Sequence, residues 1–165
     1  MSQVARRSVL LSGLMASSAL AVGSWSLFAE ANNLDAKPVP ATAWTSFRHN
    51  LTQTGVATTT LPEKLDLLWE VAVGDQVVAT SAIVGDHVYV PCLSGDLVCL
   101  KRQTGEKVWA YKTVEKVEKN SFAPGFKSSP TVTADAIYLG DEEGVFHAID
   151  RATGKGRWKY TTGGE

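Results

Sequence analysis

The chain repeats itself, and that constrains its fold more than any other property of the sequence. Residues 81–113, SAIVGDHVYVPCLSGDLVCLKRQTGEKVWAYKT, align with residues 129–162, SPTVTADAIYLGDEEGVFHAIDRATGKGRWKYTT, with one inserted residue. Ser81 meets Ser129, Tyr89 meets Tyr138, Gly95 meets Gly144, Thr104-Gly105 meets Thr153-Gly154, and Trp109 meets Trp158. A period of this length marks units that cannot bury their own apolar faces and must stack on neighbours. Inside each copy, short runs of Val, Ile, Tyr and Leu alternate with Gly, Asp and Ser, which predicts strands joined by tight turns. The predicted strands are 82–84, 87–92, 97–101 and 107–112 in the first copy, and 131–133, 136–140, 145–150 and 157–161 in the second. No window sustains a helical period, and residues 112–119 (KTVEKVEK) fit neither the helical nor the strand period cleanly. The chain is therefore expected to be all-β, and four antiparallel strands in roughly 40 residues make one blade of a β-propeller. Residues 67–73, which contain Trp69, are expected to be the tryptophan strand of a preceding blade.

The second copy closes on AIDRATGKGRW, residues 148–158, where a polar Thr-Gly turn leads into the largest apolar side chain. Two sheets packed face to face need a large flat filler between them, and an indole supplies one. Gly154 is expected to take a positive φ that a β-carbon would penalise. Asp150 and Thr153 are expected to hydrogen-bond local amides and hold the turn. Trp158 is then expected to be buried across the seam beside a small residue, with Ala148 the candidate. The first copy keeps Thr104, Gly105 and Trp109 but has Cys99 and Lys101 where the second has Ala148 and Asp150. Its turn is expected to be held by fewer hydrogen bonds.

The pattern Ala148-x-Asp150-x-x-Thr153-Gly154-Lys155-x-x-Trp158 resembles the tryptophan-docking motif of PQQ-like propeller repeats at every marked position. Cys99-x-Lys101-x-x-Thr104-Gly105-Glu106-x-x-Trp109 resembles it except at the small residue and the acid. The opening Trp44-Thr45-Ser46-Phe47-Arg48-His49-Asn50, followed by Gly55, is similar to the lead-in of exported bacterial propellers of the BamB-like and PQQ-binding-like kind. The resemblance spans about residues 44–165 and implies a partial propeller of about two blades plus the Trp69 strand. Propellers of this family have roughly seven or eight blades, so the chain is expected to be an N-terminal fragment. The family holds quinoprotein dehydrogenases, which carry pyrroloquinoline quinone and Ca²⁺ at the axis beside a disulfide of adjacent cysteines, and non-enzymatic propellers that bind proteins. The resemblance implies an exported scaffold for protein or ligand binding. The alternatives are a fragment of a PQQ- and calcium-dependent alcohol dehydrogenase, and an extracytoplasmic sensor domain.

The N-terminal stretch has the order of an export signal. Arg6 and Arg7 precede Ser8-Val9-Leu10-Leu11, an uncharged stretch runs to Ala29, and small-residue exits follow at Ala19-Leu20-Ala21 or Ala29-Glu30-Ala31. The paired arginines resemble the twin-arginine class, with a Sec signal or an uncleaved anchor as alternatives for residues 1–31. Residues 32–43, with two prolines, read as a linker. The expected location is the periplasm or cell surface, with membrane contact only through the uncleaved segment and other envelope proteins as partners. Sixteen basic against seventeen acidic side chains give no support for a broad basic surface that would bind nucleic acid.

Chemistry-bearing residues are sparse. Cys92 and Cys99 would lie in an oxidising compartment, but seven positions apart on consecutive strands they are expected to be diagonal neighbours, where a bridge is strained. Free, buried thiols are the expectation. Asp141-Glu142-Glu143 falls in a predicted hairpin turn, where acids are solvated rather than metal-binding. His49, His87 and His147 lie apart, with no second ligand at zinc spacing. No catalytic triad or phosphate loop is supported. No catalytic, cofactor-binding or metal-binding residue is therefore predicted, and PQQ and Ca²⁺ belong only to the dehydrogenase alternative. One connection stands out: Trp109 to Ser129 is twenty residues, against twelve from Trp69 to Ser81. The insertion carries Phe122, Phe126 and Lys127, a candidate contact loop on a rigid rim. The opposing reading is that both phenylalanines only cap the seam.

Overall fold

The computed structural model describes residues 39–119 and 121–163. The expected export signal and the first part of the linker lie outside them. Two four-stranded antiparallel sheets carry the repeat. Blade A is β1 (Ala82–Val84), β2 (His87–Pro91), β3 (Asp96–Lys101) and β4 (Lys107–Lys112), paired in that order. Blade B is β5 (Thr131–Val132), β6 (Ala136–Gly140), β7 (Val145–Asp150) and β8 (Gly156–Thr161), paired in the same way. Every strand lies within one residue of its prediction at each end. The strands pair because each presents alternating apolar residues that only a neighbouring ladder can carry indoors.

Register sets the two faces of each blade. Tyr89 is opposite Cys99 and Pro91 opposite Leu97, so these four share a face, which also holds Trp109 and Tyr111. Val88, Val90, Val98 and Leu100 share the other. The first face of blade A packs on blade B in one cluster with Val132, Ile137, Leu139 and Ile149. The second face of blade A receives Trp69 and Val73 from the preceding segment. Both sheets carry a register shift before the last pairing of β3 with β4 and of β7 with β8, after Cys99 and Ala148. The bulge therefore belongs to the repeat itself, immediately before the Thr-Gly turn.

Two features differ from the sequence expectation. Residues 67–73 pair with no sheet among the described residues, although Trp69 and Val73 pack where a tryptophan strand would. A strand exists only as part of a ladder, and this segment has no sheet mates there. The cysteines are not diagonal neighbours. Cys92 clusters with Val90 and Val98, whereas Cys99 clusters with Tyr89 and Leu97, so the thiols lie on opposite faces of one sheet. Both are free and buried.

The 44–55 segment ties the inner strands together. Trp44 exchanges two backbone hydrogen bonds with Ile83 on β1, each 2.8 Å, and the Thr45 carbonyl accepts the Val132 amide of β5 at 2.8 Å. The chain then turns sharply, with Arg48 and His49 at positive φ (55° and 87°). The Asn50 side chain supports this turn by accepting from the Thr52 amide (3.1 Å) and hydroxyl (2.8 Å).

Candidate functional site

The seams between blades are where the repeat's distinctive residues meet. Gly154 has φ +71°, and a β-carbon built on it would stand 2.5 Å from Cδ2 of Trp109. Gly105 has φ +70°, and its β-carbon would stand 2.7 Å from Cδ2 of Trp69. Each Thr-Gly turn is thus the seat for the indole of the blade before it, and the glycine is needed both for its backbone angle and for the contact. The sequence reading paired each turn with its own tryptophan; the structure pairs it with the previous one. Trp69 also donates its indole N–H to the Arg102 carbonyl at 2.8 Å.

The motif's own tryptophan lies in register with its small residue. Trp109 is opposite Cys99 and Trp158 opposite Ala148, so the small side chain leaves the ring room to lie on its own sheet. Trp158 is not buried as expected: it is 48% exposed. No further sheet covers that face among the described residues, and Tyr138, Phe146 and Trp158 form an aromatic cluster on it, with ring centroids 6.0–6.3 Å apart.

The two turns are held differently. Asp150 Oδ1 accepts from the amides of Ala152 (3.1 Å) and Thr153 (2.9 Å) and from the Thr153 hydroxyl (2.9 Å). Its other oxygen accepts from Arg157 at 2.8 Å, while Arg157 also bonds Asp135 at 2.6 Å. The Arg157 hydrogen bond, followed by those from Thr153, holds the Asp150 carboxyl down to about 2. In blade A, Lys101 replaces the acid and forms an exposed pair with Glu106 at 2.7 Å, so that acceptor is missing. The sequence departure at Lys101 therefore removes the hydrogen bonds it was expected to remove.

A buried polar chain crosses from blade A to blade B. The Tyr111 hydroxyl is 2.9 Å from Nδ1 of His147, and Nε2 of His147 is 2.9 Å from Oδ2 of Asp141. The His147 and Asp141 side chains are 1% and 2% exposed. Asp141 Oδ1 accepts the amides of Glu143 (3.0 Å) and Val145 (2.9 Å). Asp141 is thus not the solvated turn acid the sequence suggested. Phe126 lies edge-on to the His147 ring at 5.4 Å and is fully buried.

That phenylalanine splits the predicted contact loop in two. Phe126 caps the seam, its amide bonded to the Cys92 carbonyl at 3.0 Å, whereas Phe122 is 92% exposed. Between them Gly125 exchanges two hydrogen bonds with Glu142, each 3.0 Å. Lys127 pairs with the same Glu142 at 2.7 Å, so the base of the loop is fixed and its tip is not covered. The cysteines are poor nucleophiles, since burial pushes the Cys92 thiol up to about 11 and the Cys99 thiol up to about 12. A cavity of about 420 Å³ is lined by residues 71–74 and, from blade A, by Val98, Leu100, Asp96 and Lys112 among others.

Sequence reasoning missed the Tyr111–His147–Asp141 chain. Its signal was present: where blade A has Cys92 and Val98, the aligned positions of blade B are Asp141 and His147. Two apolar positions became polar together, in residue types that hydrogen-bond each other.

Sheet order, the paired Trp–Gly seats and the bulge before each turn define a tryptophan-docked β-propeller repeat protein. The chain belongs to the family described as outer membrane protein assembly factor BamB, whose model matches residues 53–165. Over 103 residues it is 30% identical to an outer membrane protein assembly factor BamB of Xanthomonas campestris pv. campestris, covering 58% of this chain and 25% of that protein. Over 87 residues it is 30% identical to a quinohemoprotein alcohol dehydrogenase of Pseudomonas putida, covering 49% of this chain and 12% of the other. Among solved structures, the quinohemoprotein alcohol dehydrogenase of Comamonas testosteroni shares the fold with a TM-score of 0.58 at 20% identity, covering 73% of this chain and 19% of that one. The chain thus spans a quarter or less of the length of these relatives.

Proposed function

We propose that this chain works as a non-enzymatic propeller scaffold in the bacterial envelope, on the periplasmic side or at the cell surface, binding protein partners in outer membrane protein assembly. The observation that carries the reading is Phe122. A phenylalanine costs about 1.5–3 kcal/mol when left in water rather than buried, yet this one stands 92% exposed on a loop anchored by Phe126 and the Lys127–Glu142 pair. A fixed base with an uncovered aromatic tip suits a binding contact, because little ordering remains to oppose association. Export is supported by the pattern of residues 1–31, and the partner class by the family's description.

The test is complementation. In a host lacking the gene, abundance of outer membrane β-barrel proteins should fall and be restored by the parent. Phe122→Asp should leave the melting temperature unchanged and fail to restore abundance, whereas full restoration would overturn the role of the loop. Arg6→Lys with Arg7→Lys should block export by the twin-arginine route, and unaffected export points to Sec.

The second reading, part of a quinoprotein alcohol dehydrogenase, is favoured by the 30% identity to the Pseudomonas putida enzyme. The described residues do not fit a quinone and Ca²⁺ site. Cys92 and Cys99 are on opposite sheet faces rather than adjacent, and the oxygens of the buried carboxylate, Asp141, are taken by His147 and two amides. Dye-linked alcohol oxidation after addition of PQQ and Ca²⁺ would establish this second reading and overturn the first.

A further inference from the structure

Two seams in this molecule use the same Trp–Gly contact but different side chains around it. Where residues 69–73 meet blade A, the seam is apolar: Trp69, Val73 and Val88 pack on Val90, Cys92, Val98 and Leu100. Its side-chain hydrogen bonds run only to backbone carbonyls, from Cys92 to Val73 at 3.1 Å and from Trp69 to Arg102 at 2.8 Å. Where blade A meets blade B, the corresponding positions read Tyr111 for Val71, Asp141 for Cys92 and His147 for Val98.

The geometry assigns the ring proton. Oδ1 of Asp141 already accepts two amides, and a carboxylate only accepts, so Nε2 of His147 carries a hydrogen and donates to Oδ2. In the singly protonated ring Nδ1 then accepts the Tyr111 hydroxyl. Each of these side-chain groups has a partner, and the partners come from two blades. A buried polar chain of this kind adds little stability over a well-packed apolar one, but it is costly to mismatch. Against an apolar segment such as residues 69–73, the acceptor on His147 would be left bare. Against the apolar face of blade A, the Tyr111 hydroxyl would be left bare.

We infer that Tyr111, His147 and Asp141 form an address that specifies which blade follows which. The repeat needs such a device because the Trp69–Gly105 and Trp109–Gly154 seats are nearly the same, with β-carbon positions 2.7 and 2.5 Å from the indoles. Those seats alone do not distinguish correct stacking from a skipped blade or from a blade supplied by a second molecule. The polar chain does, and it makes the A–B seam exclusive.

The experiment compares the full chain with Tyr111→Val/Asp141→Ala/His147→Val after refolding from urea, reading the misassembled fraction by size-exclusion chromatography with light scattering and the midpoint by fluorescence. The triple variant should refold with a several-fold larger fraction of swapped or oligomeric species than the parent. His147→Val alone should lower the midpoint, because it leaves Asp141 Oδ2 and the Tyr111 hydroxyl buried without the imidazole. A triple variant as cleanly assembled as the parent would overturn the inference. Should the triple variant not fold, Tyr111→Phe removes only the hydroxyl: a several-fold rise in misassembly supports the address, and no rise overturns it.

Discussion

Trp109 and Trp158 occupy the same motif position, on the same strand of successive blades, opposite the same kind of small residue, yet one is seated and the other stands half in water. Trp109 is received by Gly154 of the following blade; Trp158 is 48% exposed beside Tyr138 and Phe146. The difference teaches that burial of the tryptophan is not written in the motif that carries it. It is written in the next copy's Thr-Gly turn. A blade provides a seat for its predecessor and a ring for its successor, and this head-to-tail dependence makes the repeat stack.

The comparison breaks most visibly on removing the seated ring. Trp109→Ala should cost about 3 kcal/mol or more in urea unfolding, the range for large aromatics removed from a packed site. Gly154→Ala leaves the ring but places a β-carbon where it lies and forces alanine to positive φ; about 2 kcal/mol is expected from the two effects together. Trp158→Ala in this chain should cost only about 1 kcal/mol, since much of its surface is already wet.

The smallest effect separates the two turns themselves. Asp150 has its carboxyl pKa held down to about 2 by Arg157 and then Thr153. A carboxyl held lower in the folded chain than in the unfolded one, near ~4, stabilises the fold above that unfolded value. That contribution is lost as the pH falls from about 4 towards 2. Asp150→Asn should flatten the stability profile in this window while costing no more than about 1 kcal/mol at neutral pH. Blade A has Lys101 at this position, and Lys101→Asp should add acid sensitivity of the same sign.

The strands were legible because alternation along a strand and Gly or Asp at its ends are local signals, and the register shift after Cys99 and Ala148 recurs because the motif recurs. What escaped were relations between copies. Gly154 seats Trp109, forty-five residues earlier, and no local pattern says which ring a glycine receives. The paired substitution of Cys92 and Val98 by Asp141 and His147 was visible in the repeat alignment, but its meaning required Tyr111 from the neighbouring sheet. Phe122 and Phe126 are four residues apart and look alike in sequence; only backbone contacts, Phe126 to Cys92 and Gly125 to Glu142, decide which turns inward. Residues 67–73 read as a strand by composition, yet strand structure depends on a partner ladder outside the segment.

The most direct test is a double-mutant cycle between Trp109→Ala and Gly154→Ala, measured by urea unfolding of the full chain. If the glycine is the seat of that indole, the alanine β-carbon has nothing to strike once the ring is gone, so the double variant should be more stable than the sum of the single losses predicts by about 1 kcal/mol or more. Strict additivity would show that ring and glycine do not meet, and would contradict head-to-tail docking of the blades.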